Sequence, residues 1–353
     1  MDIELFNYDL PRELIAQKPL KDRDKARMLV LKRTNNEIFH SYFYNLPEFL
    51  DKGDLLILNN SKVIKAKLEI TLDTGGKLDA IFLRGDGKKI EILCEKSKKL
   101  RLGRKIFFKD NTEGVVKEVL DGGRRIIEVK DLKDHLTFLN RVGEVPLPPY
   151  IKVRDVDLDD YQTIYAEVEG SIAAPTAGFH FTENLFDNLR NKGISIEYIT
   201  LHVGTPTFRP LKVNDIDNYQ IGEEYYEIDE EVIKKIKETK EREKRVVAVG
   251  TTVVRALESL KIGDETKSVK GKTNIFIKPP FNFKVVDAMI TNFHLPKTSL
   301  LILVSAFAGR EKILNAYKVA VENKYRFYSF GDGMLILWFY CYNILSIKGF
   351  NNL

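Results

Sequence analysis

Residues 161–183 read YQTIYAEVEGSIAAPTAGFHFTE. The small residues around Pro175 and Gly178 let a backbone approach a ligand closely, while Pro175 fixes one φ angle and limits floppiness. Thr182, followed by Glu183 and the apolar Leu185, Phe186 and Leu189, predicts a helix start. His180 then sits at the mouth of that helix, where a titratable ring suits proton transfer. A buried strand-to-helix turn with a satisfied histidine accounts for the stretch equally well.

Outward from this stretch, strand and helix patterns alternate. Towards the C-terminus, Ile194–Thr200, Arg245–Val249 and Val285–Ile290 read as strands. Glu230–Arg245, Thr251–Leu260, Ser299–Ala308 and Arg310–Asn323 read as helices, the first of them exposed. Towards the N-terminus, Pro11–Ala16 is a short helical start, and Met28–Leu31 and Asp54–Leu58 are buried strands. Between about 65 and 148 the character changes: short strand-like runs alternate with Gly/Asp turns such as Thr74-Gly75-Gly76 and Asp121-Gly122-Gly123, the pattern of a small β-barrel or sandwich. Gly143–Tyr150, rich in proline, reads as a domain crossing. The expected fold is α/β, a mainly parallel α/β core domain with an inserted small β-barrel domain. The expected boundaries are 1–64 plus 149–337 for the core, 65–148 for the barrel, and 338–353 for an apolar C-terminal extension.

The 353-residue chain is 44% hydrophobic and 30% charged, the composition of a soluble globular protein. Cys94 and Cys341 lie far apart without metal-type spacing, and the N-terminus lacks a charged-then-apolar signal layout, so a reducing, cytoplasmic setting is expected. The net charge of +5 is unevenly spread: Ser61–Lys133 carries 19 Lys and Arg against 12 Asp and Glu. Such a surface suits a phosphate backbone, and it also suits a merely solvated face. The apolar run 334–347 is shorter than the roughly 20 residues a membrane span needs.

His180, His202 and His294 stand at apparent strand ends or helix starts, flanked by Gly, Pro, Thr and aromatic residues. In an α/β core such ends converge on one crevice, so the three rings either share a proton-transfer site or are separate structural histidines. No spacing supports a metal site. Gly250-Thr251-Thr252 opens a helix N-terminus that would bind a carboxylate or phosphate. Neither a G-x-G-x-x-G fingerprint nor a G-x-x-x-x-G-K-[ST] loop is present.

Eight segments in order, among them FNYDLPRELIAQKPLKDRDKARMLVL, GDLLILNNSKVIKAKL, PTAGFHFT, TLHVGTPTFRP, VVAVGTTVVRALES, TNFHLP and SAFAGRE, resemble the S-adenosylmethionine:tRNA ribosyltransferase-isomerase family of queuosine biosynthesis. The resemblance runs from residue 6 to about 336. It implies transfer and isomerisation of the ribosyl moiety of S-adenosylmethionine onto 7-aminomethyl-7-deazaguanine at the tRNA wobble position, giving epoxyqueuosine with release of adenine and methionine. S-adenosylmethionine is then a co-substrate, and no permanently bound cofactor or metal is implied. On this reading His180, His202 and His294 are the acid/base candidates. Thr176, Gly178, Gly250, Thr251, Thr252 and Arg255 form the co-substrate pocket. Phe179 or Phe293 stacks on the modified base, and the basic insert holds the anticodon arm. A monomer without membrane attachment is expected.

Three departures from the family pattern stand out. Pro206 replaces a second Gly, Asn60 replaces an Asp, and Tyr219-Gln220-Ile221-Gly222 replaces a histidine-bearing H-x-M-H stretch. Alternatives that keep both partners are an S-adenosylmethionine-dependent tRNA methyltransferase and a catalytically impaired tRNA-binding homologue.

Overall fold

The computed structural model describes residues 1–153, 156–204, 211, 213–260 and 267–337. Its first nine strands are β1 (Arg27–Lys32), β2 (Ile38–Tyr42), β3 (Leu55–Asn59), β4 (Ser61–Val63), β5 (Lys67–Leu72), β6 (Lys77–Asp86), β7 (Lys89–Cys94), β8 (Lys105–Phe107) and β9 (Glu113–Val119). The others are β10 (Arg124–Val129), β11 (Gly143–Glu144), β12 (Val168–Ser171), β13 (Ser195–Leu201), β14 (Glu224–Ile228), β15 (Val246–Val249), β16 (Val269–Thr273), β17 (Ala288–Asn292) and β18 (Gly333–Leu337). The helices are α1 (Leu46–Phe49), α2 (His135–Val142), α3 (Glu183–Asn191), α4 (Glu230–Glu241), α5 (Thr251–Glu258), α6 (Ser299–Ala308) and α7 (Arg310–Glu322).

Nine strands form one sheet in the order β16-β14-β13-β3-β15-β17-β18-β1-β2. Its centre, β13-β3-β15-β17, is parallel, and β1 runs parallel to β18. The junction of β17 with β18 and both edges are antiparallel, so the sheet is mixed around a parallel centre. Alternate side chains serve two cores. Leu55 and Ile57 of β3, with Val246 and Ala248 of β15, pack among residues of α4 to α7. Leu56, Leu58, Val247 and Val249 pack on the other face with Leu185, Phe186 and Leu189 of α3. Cover on both faces is why these strands are continuous apolar runs rather than alternating ones.

The second sheet closes on itself. Strands β5-β6-β7-β10-β9-β8 follow one another, and β8 pairs back to β5 through Thr71 with Phe107 and Leu72 with Ile106. The result is a six-stranded antiparallel barrel, which leaves no free edge among those strands. Inward residues alternate as a barrel requires: Leu68, Ile70 and Leu72 of β5 are buried while Lys67, Glu69 and Thr71 are partly exposed.

Some local expectations change. Pro11–Ala16 gives only the single turn Arg12–Leu14, because Ile15 leaves it to bridge Phe327. The stripe Val232, Ile233 and Ile236 of α4 is buried on the sheet, so that helix covers the core. Met334 to Leu337, the start of the apolar run near the C-terminus, is the core strand β18. Pro206, Cys341 and the extension 338–353 lie outside the described residues. No helix among the described residues is long and apolar enough to cross a membrane.

Candidate active site

Because β13, β3, β15 and β17 are parallel, their carboxyl ends, at Leu201, Asn59, Val249 and Asn292, lie along one rim. Ligands of open α/β sheets gather at such a rim. A cleft of about 580 Å³, counting space open to solvent, lies there, lined among others by Thr176, Gly250, Thr251, Thr252, Arg255 and His294.

Gly250 turns the chain from β15 into α5 with φ 95° and ψ 151°, a combination an L side chain rarely tolerates. No side chain caps the first turn of α5, whereas Thr182 and Thr298 cap α3 and α6. One turn along α5, Arg255 is 2% exposed. Its Nη1 pairs with Glu224, its Nε donates to the Ile275 carbonyl at 3.3 Å, and its buried Nη2 has no acceptor among the described residues. Glu224 also accepts from the Gly204 backbone N–H at 3.1 Å. Burial pushes its carboxyl up, against the pull of the Arg255 guanidinium.

Asn59 and Asn292 organise the rim. Asn59, fully buried, accepts from the Leu201 and Ser61 backbone N–H groups at 3.0 and 3.1 Å and donates to the Thr252 hydroxyl at 3.4 Å. Asn292 accepts from the Thr176 hydroxyl at 3.1 Å, donates to the Tyr328 carbonyl at 3.2 Å, and lies 3.4 Å from His180 Nε2. Tyr328 holds φ 74°, and its carbonyl is the one Asn292 engages. Local strain of this kind concentrates at functional sites.

Of the three histidines, His294 lines the cleft. Its Nδ1 lies 3.2 Å from the Tyr317 hydroxyl and its Nε2 3.3 Å from Thr291 Oγ1, while Tyr8 donates to its carbonyl at 2.5 Å. Burial drives its pKa down to about 3. His180 stands behind the rim, beside a smaller depression lined by Arg23 and Phe330, and reaches the cleft through Asn292. Its pKa is likewise pushed down to about 3, first by burial and then by Arg326 and Arg23. His202 lies on the far side of the rim, stacked on Tyr225 and packed over Gly170. Its buried Nδ1 is unpartnered, and burial lowers its pKa. The structure links His180 and His294 to one cleft and leaves His202 apart from it.

Five of the six predicted pocket residues line the cleft: Thr176, Gly250, Thr251, Thr252 and Arg255. Gly178 instead faces Tyr165, where a Cβ would come within 1.9 Å of the phenol oxygen. Phe293 lines the cleft, whereas Phe179 packs on Phe330 and Tyr161. Sequence reasoning missed Asn292 and Glu224, whereas Asn59 reads from sequence as a polar residue at a strand's carboxyl end, where ligand contacts are common. Among the described residues no cluster of His, Cys, Asp or Glu is placed to hold a metal ion.

A larger groove runs between the barrel and residues 146–149 and 172–173. Ala173 lines it and the neighbouring Ala174 lines the cleft, so one short segment contributes to both. On the barrel, Lys77, Lys89, Lys105 and Lys117 pair with Glu69, Glu118, Glu113 and Glu128. Lys96, Lys98, Lys99 and Arg101 are exposed beside the groove wall, which Lys96 lines.

A sequence profile described as "Queuosine biosynthesis protein" matches residues 3–336. The chain belongs to this family, that of the S-adenosylmethionine:tRNA ribosyltransferase-isomerases. It is 47% identical over 341 residues to the protein of that name from Halothermothrix orenii, covering 96% of this chain and 100% of the relative. The protein of the same name from Thermotoga petrophila is 46% identical over 338 residues, with 96% and 100% covered. Among solved structures, a crystal structure named as an S-adenosylmethionine tRNA ribosyltransferase from Thermotoga maritima matches with a TM-score of 0.56 at 36% identity, covering 94% of this chain and 100% of that one. Membership makes the protein an enzyme of the transferase/isomerase kind in queuosine biosynthesis. Two departures from the family pattern fall near the rim. Asn60 accepts from the Thr200 hydroxyl at 2.7 Å and donates to Glu167, an uncharged bridge between loop and strand. Tyr219 packs edge-on against Phe276, and burial pushes its phenol up against the pull of the Arg255 guanidinium.

Proposed function

We propose that the cleft binds S-adenosylmethionine and that the enzyme moves its ribosyl carbons onto 7-aminomethyl-7-deazaguanine at the tRNA wobble position, releasing adenine and methionine and leaving epoxyqueuosine. The observation that carries this reading is the cleft itself. Its walls come from the Pro175–Ala177, Gly250–Arg255 and Thr291–His294 segments, which are the stretches that carry the family resemblance. The reaction begins with loss of a C5′ proton beside the sulfonium, proceeds through expulsion of adenine and attack by the base amine, and closes the epoxide as methionine leaves. His294 lines the cleft and stays neutral at physiological pH, so in the free enzyme it offers a hydrogen-bonding ring; to take up a proton it needs its pKa raised by the charge that develops beside it. Thr176, Thr291 and Tyr317 are hydroxyls placed to relay it or to hold ribose oxygens. The groove beside the barrel takes the anticodon arm, with residues 96–101 on its phosphates. The barrel, 65–148, and the core, 1–64 plus 149–337, act as two domains on either side of it. Because the substrate is tRNA, the setting is cytoplasmic.

The test is mass spectrometry of nucleosides from tRNA bearing the aminomethyl base after incubation with the protein and S-adenosylmethionine, with free adenine measured alongside. A ribose-derived adduct with adenine is expected. A methyl adduct with S-adenosylhomocysteine would make the protein a methyltransferase. Salt-sensitive tRNA binding without any adduct would make it an inactive homologue.

A further inference from the structure

We infer that Arg255, held in place by Glu224, is the residue that receives the α-carboxylate of the co-substrate's methionine part and so selects it against carboxylate-free analogues. The inference rests on the cleft being the S-adenosylmethionine site.

A guanidinium presents five N–H donors in a planar fork. Here Nη1 and Nε are engaged by Glu224 and the Ile275 carbonyl, and Nη2 is buried without an acceptor among the described residues. A buried, unsatisfied donor on a charged group is costly, which makes it a mark of a missing partner. Arg255 lies one turn from Gly250 on the face of α5 that lines the cleft together with Thr251 and Thr252. The uncapped first turn of that helix therefore offers its backbone N–H groups on the same side. Arg255 and the helix start thus belong to one wall of the cleft, with Nη2 buried just behind it.

The chemistry of the ligand narrows the choice. S-adenosylmethionine carries one anionic group, its carboxylate; its other ends are an ammonium, a sulfonium, a ribose and adenine. Glu224 neutralises Arg255, so no strong net positive field awaits a multiply charged anion. Recognition then works through directed hydrogen bonds to a planar two-oxygen acceptor, which is the geometry a carboxylate offers to arginine. Glu224 is a positioning residue: it holds the fork still, and its tie to the Gly204 N–H couples the clamp to the loop that follows β13.

The experiment is calorimetric titration of the full-length protein, with tRNA present, by S-adenosylmethionine and by its decarboxylated form. Wild type should prefer the carboxylated ligand roughly 30- to 100-fold, the weight of a charge-assisted hydrogen-bond pair. Arg255→Lys should cut that preference at least tenfold, because a point charge on a different stem cannot reproduce the fork. Arg255→Met combined with Glu224→Gln removes both charges and leaves none buried alone, so it keeps a folding-competent test; the preference should fall to near one while binding of the decarboxylated ligand is unchanged. Retention of the wild-type preference in either variant overturns the inference. Equal loss of both ligands in a variant with a native unfolding midpoint also overturns it, because the residue would then shape the whole cleft. Wild type binding neither ligand would instead overturn the assignment of the cleft, and the clamp with it.

Discussion

The rings of Phe43 and His180 lie face to face, with centroids 3.9 Å apart and planes 12° from parallel. Full burial, with the Arg326 and Arg23 charges nearby, keeps the imidazole of this stack neutral, and its pKa falls from 6.5 to about 3. The unfolded chain therefore takes up a proton on this ring near pH 6.5, while the folded chain does so only near 3. Stability is complete above pH 6.5 and declines as pH drops through that window. His180→Gln should narrow the difference in unfolding free energy between pH 7.5 and 5.5 by about 1.4 kcal/mol. Urea titrations at the two pH values measure it. An unchanged difference would mean that the ring already carries a proton in the folded protein.

Gly178 serves packing in this structure. A methyl group there would collide with the Tyr165 hydroxyl at 1.9 Å and with the Thr163 side chain at 2.9 Å. Gly178→Ala should cost about 2–4 kcal/mol of stability, the range of a strained, overpacked core. Adding Tyr165→Phe should recover part of that loss, since it removes the nearest atom. Thermal melts of the single and double variants decide the matter. Additive losses would show that the clash lies elsewhere.

How far the fold was legible follows from which forces act locally. The strands β3 and β15 declare themselves as apolar runs because both faces are buried, and the barrel declares itself through turns at short, regular spacing. Pocket residues Gly250 to Arg255 were legible because a strand, a glycine and a helix start are consecutive in the chain. The rest depends on contacts distant in sequence. Nothing local separates Glu224 from Glu223, yet the first is buried against Arg255, thirty-one residues away, and the second is exposed. Asn59 and Asn292 look like ordinary turn residues until the parallel sheet sets their carboxyl ends side by side. The helix α4 was misjudged as exposed because three apolar residues among many charges are enough to seat one face on a sheet.

Many of the barrel's basic residues are paired within it, as Lys105 is with Glu113 and Lys117 with Glu128. Lys96, Lys98, Lys99 and Arg101, which are exposed and form no ion pair among the described residues, should carry the contacts to phosphate. Replacing Lys96, Lys98 and Lys99 by Ala should weaken tRNA binding and lower the slope of log K against log salt by about 2–3. Replacing Lys105 and Lys117 by Ala should change the slope by less than about 1. Filter binding across a salt series reads both, and equal slopes for the two variants would remove residues 96–101 from the interface.

Asn292 joins the Thr176 hydroxyl to His180 and the Tyr328 carbonyl, so its amide is the knot between the cleft and the ring behind it. Asn292→Leu keeps the branched skeleton and leaves those partners unpaired. The expected cost is about 2–3 kcal/mol of stability, from buried polar groups without partners. Turnover should fall further than co-substrate affinity, because Thr176 and the backbone of Tyr328 lose their orientation while Arg255 and the start of α5 keep theirs. Asn292→Asp makes a sharper test. It sets a carboxylate 3.4 Å or so from His180 Nε2, which favours the imidazolium and should lift the His180 pKa towards neutrality. A new titration in the pH dependence of turnover between pH 5 and 8, absent from the wild type, is the predicted signature. If the profile keeps its shape while stability falls, the knot is structural and His180 takes no part in moving protons.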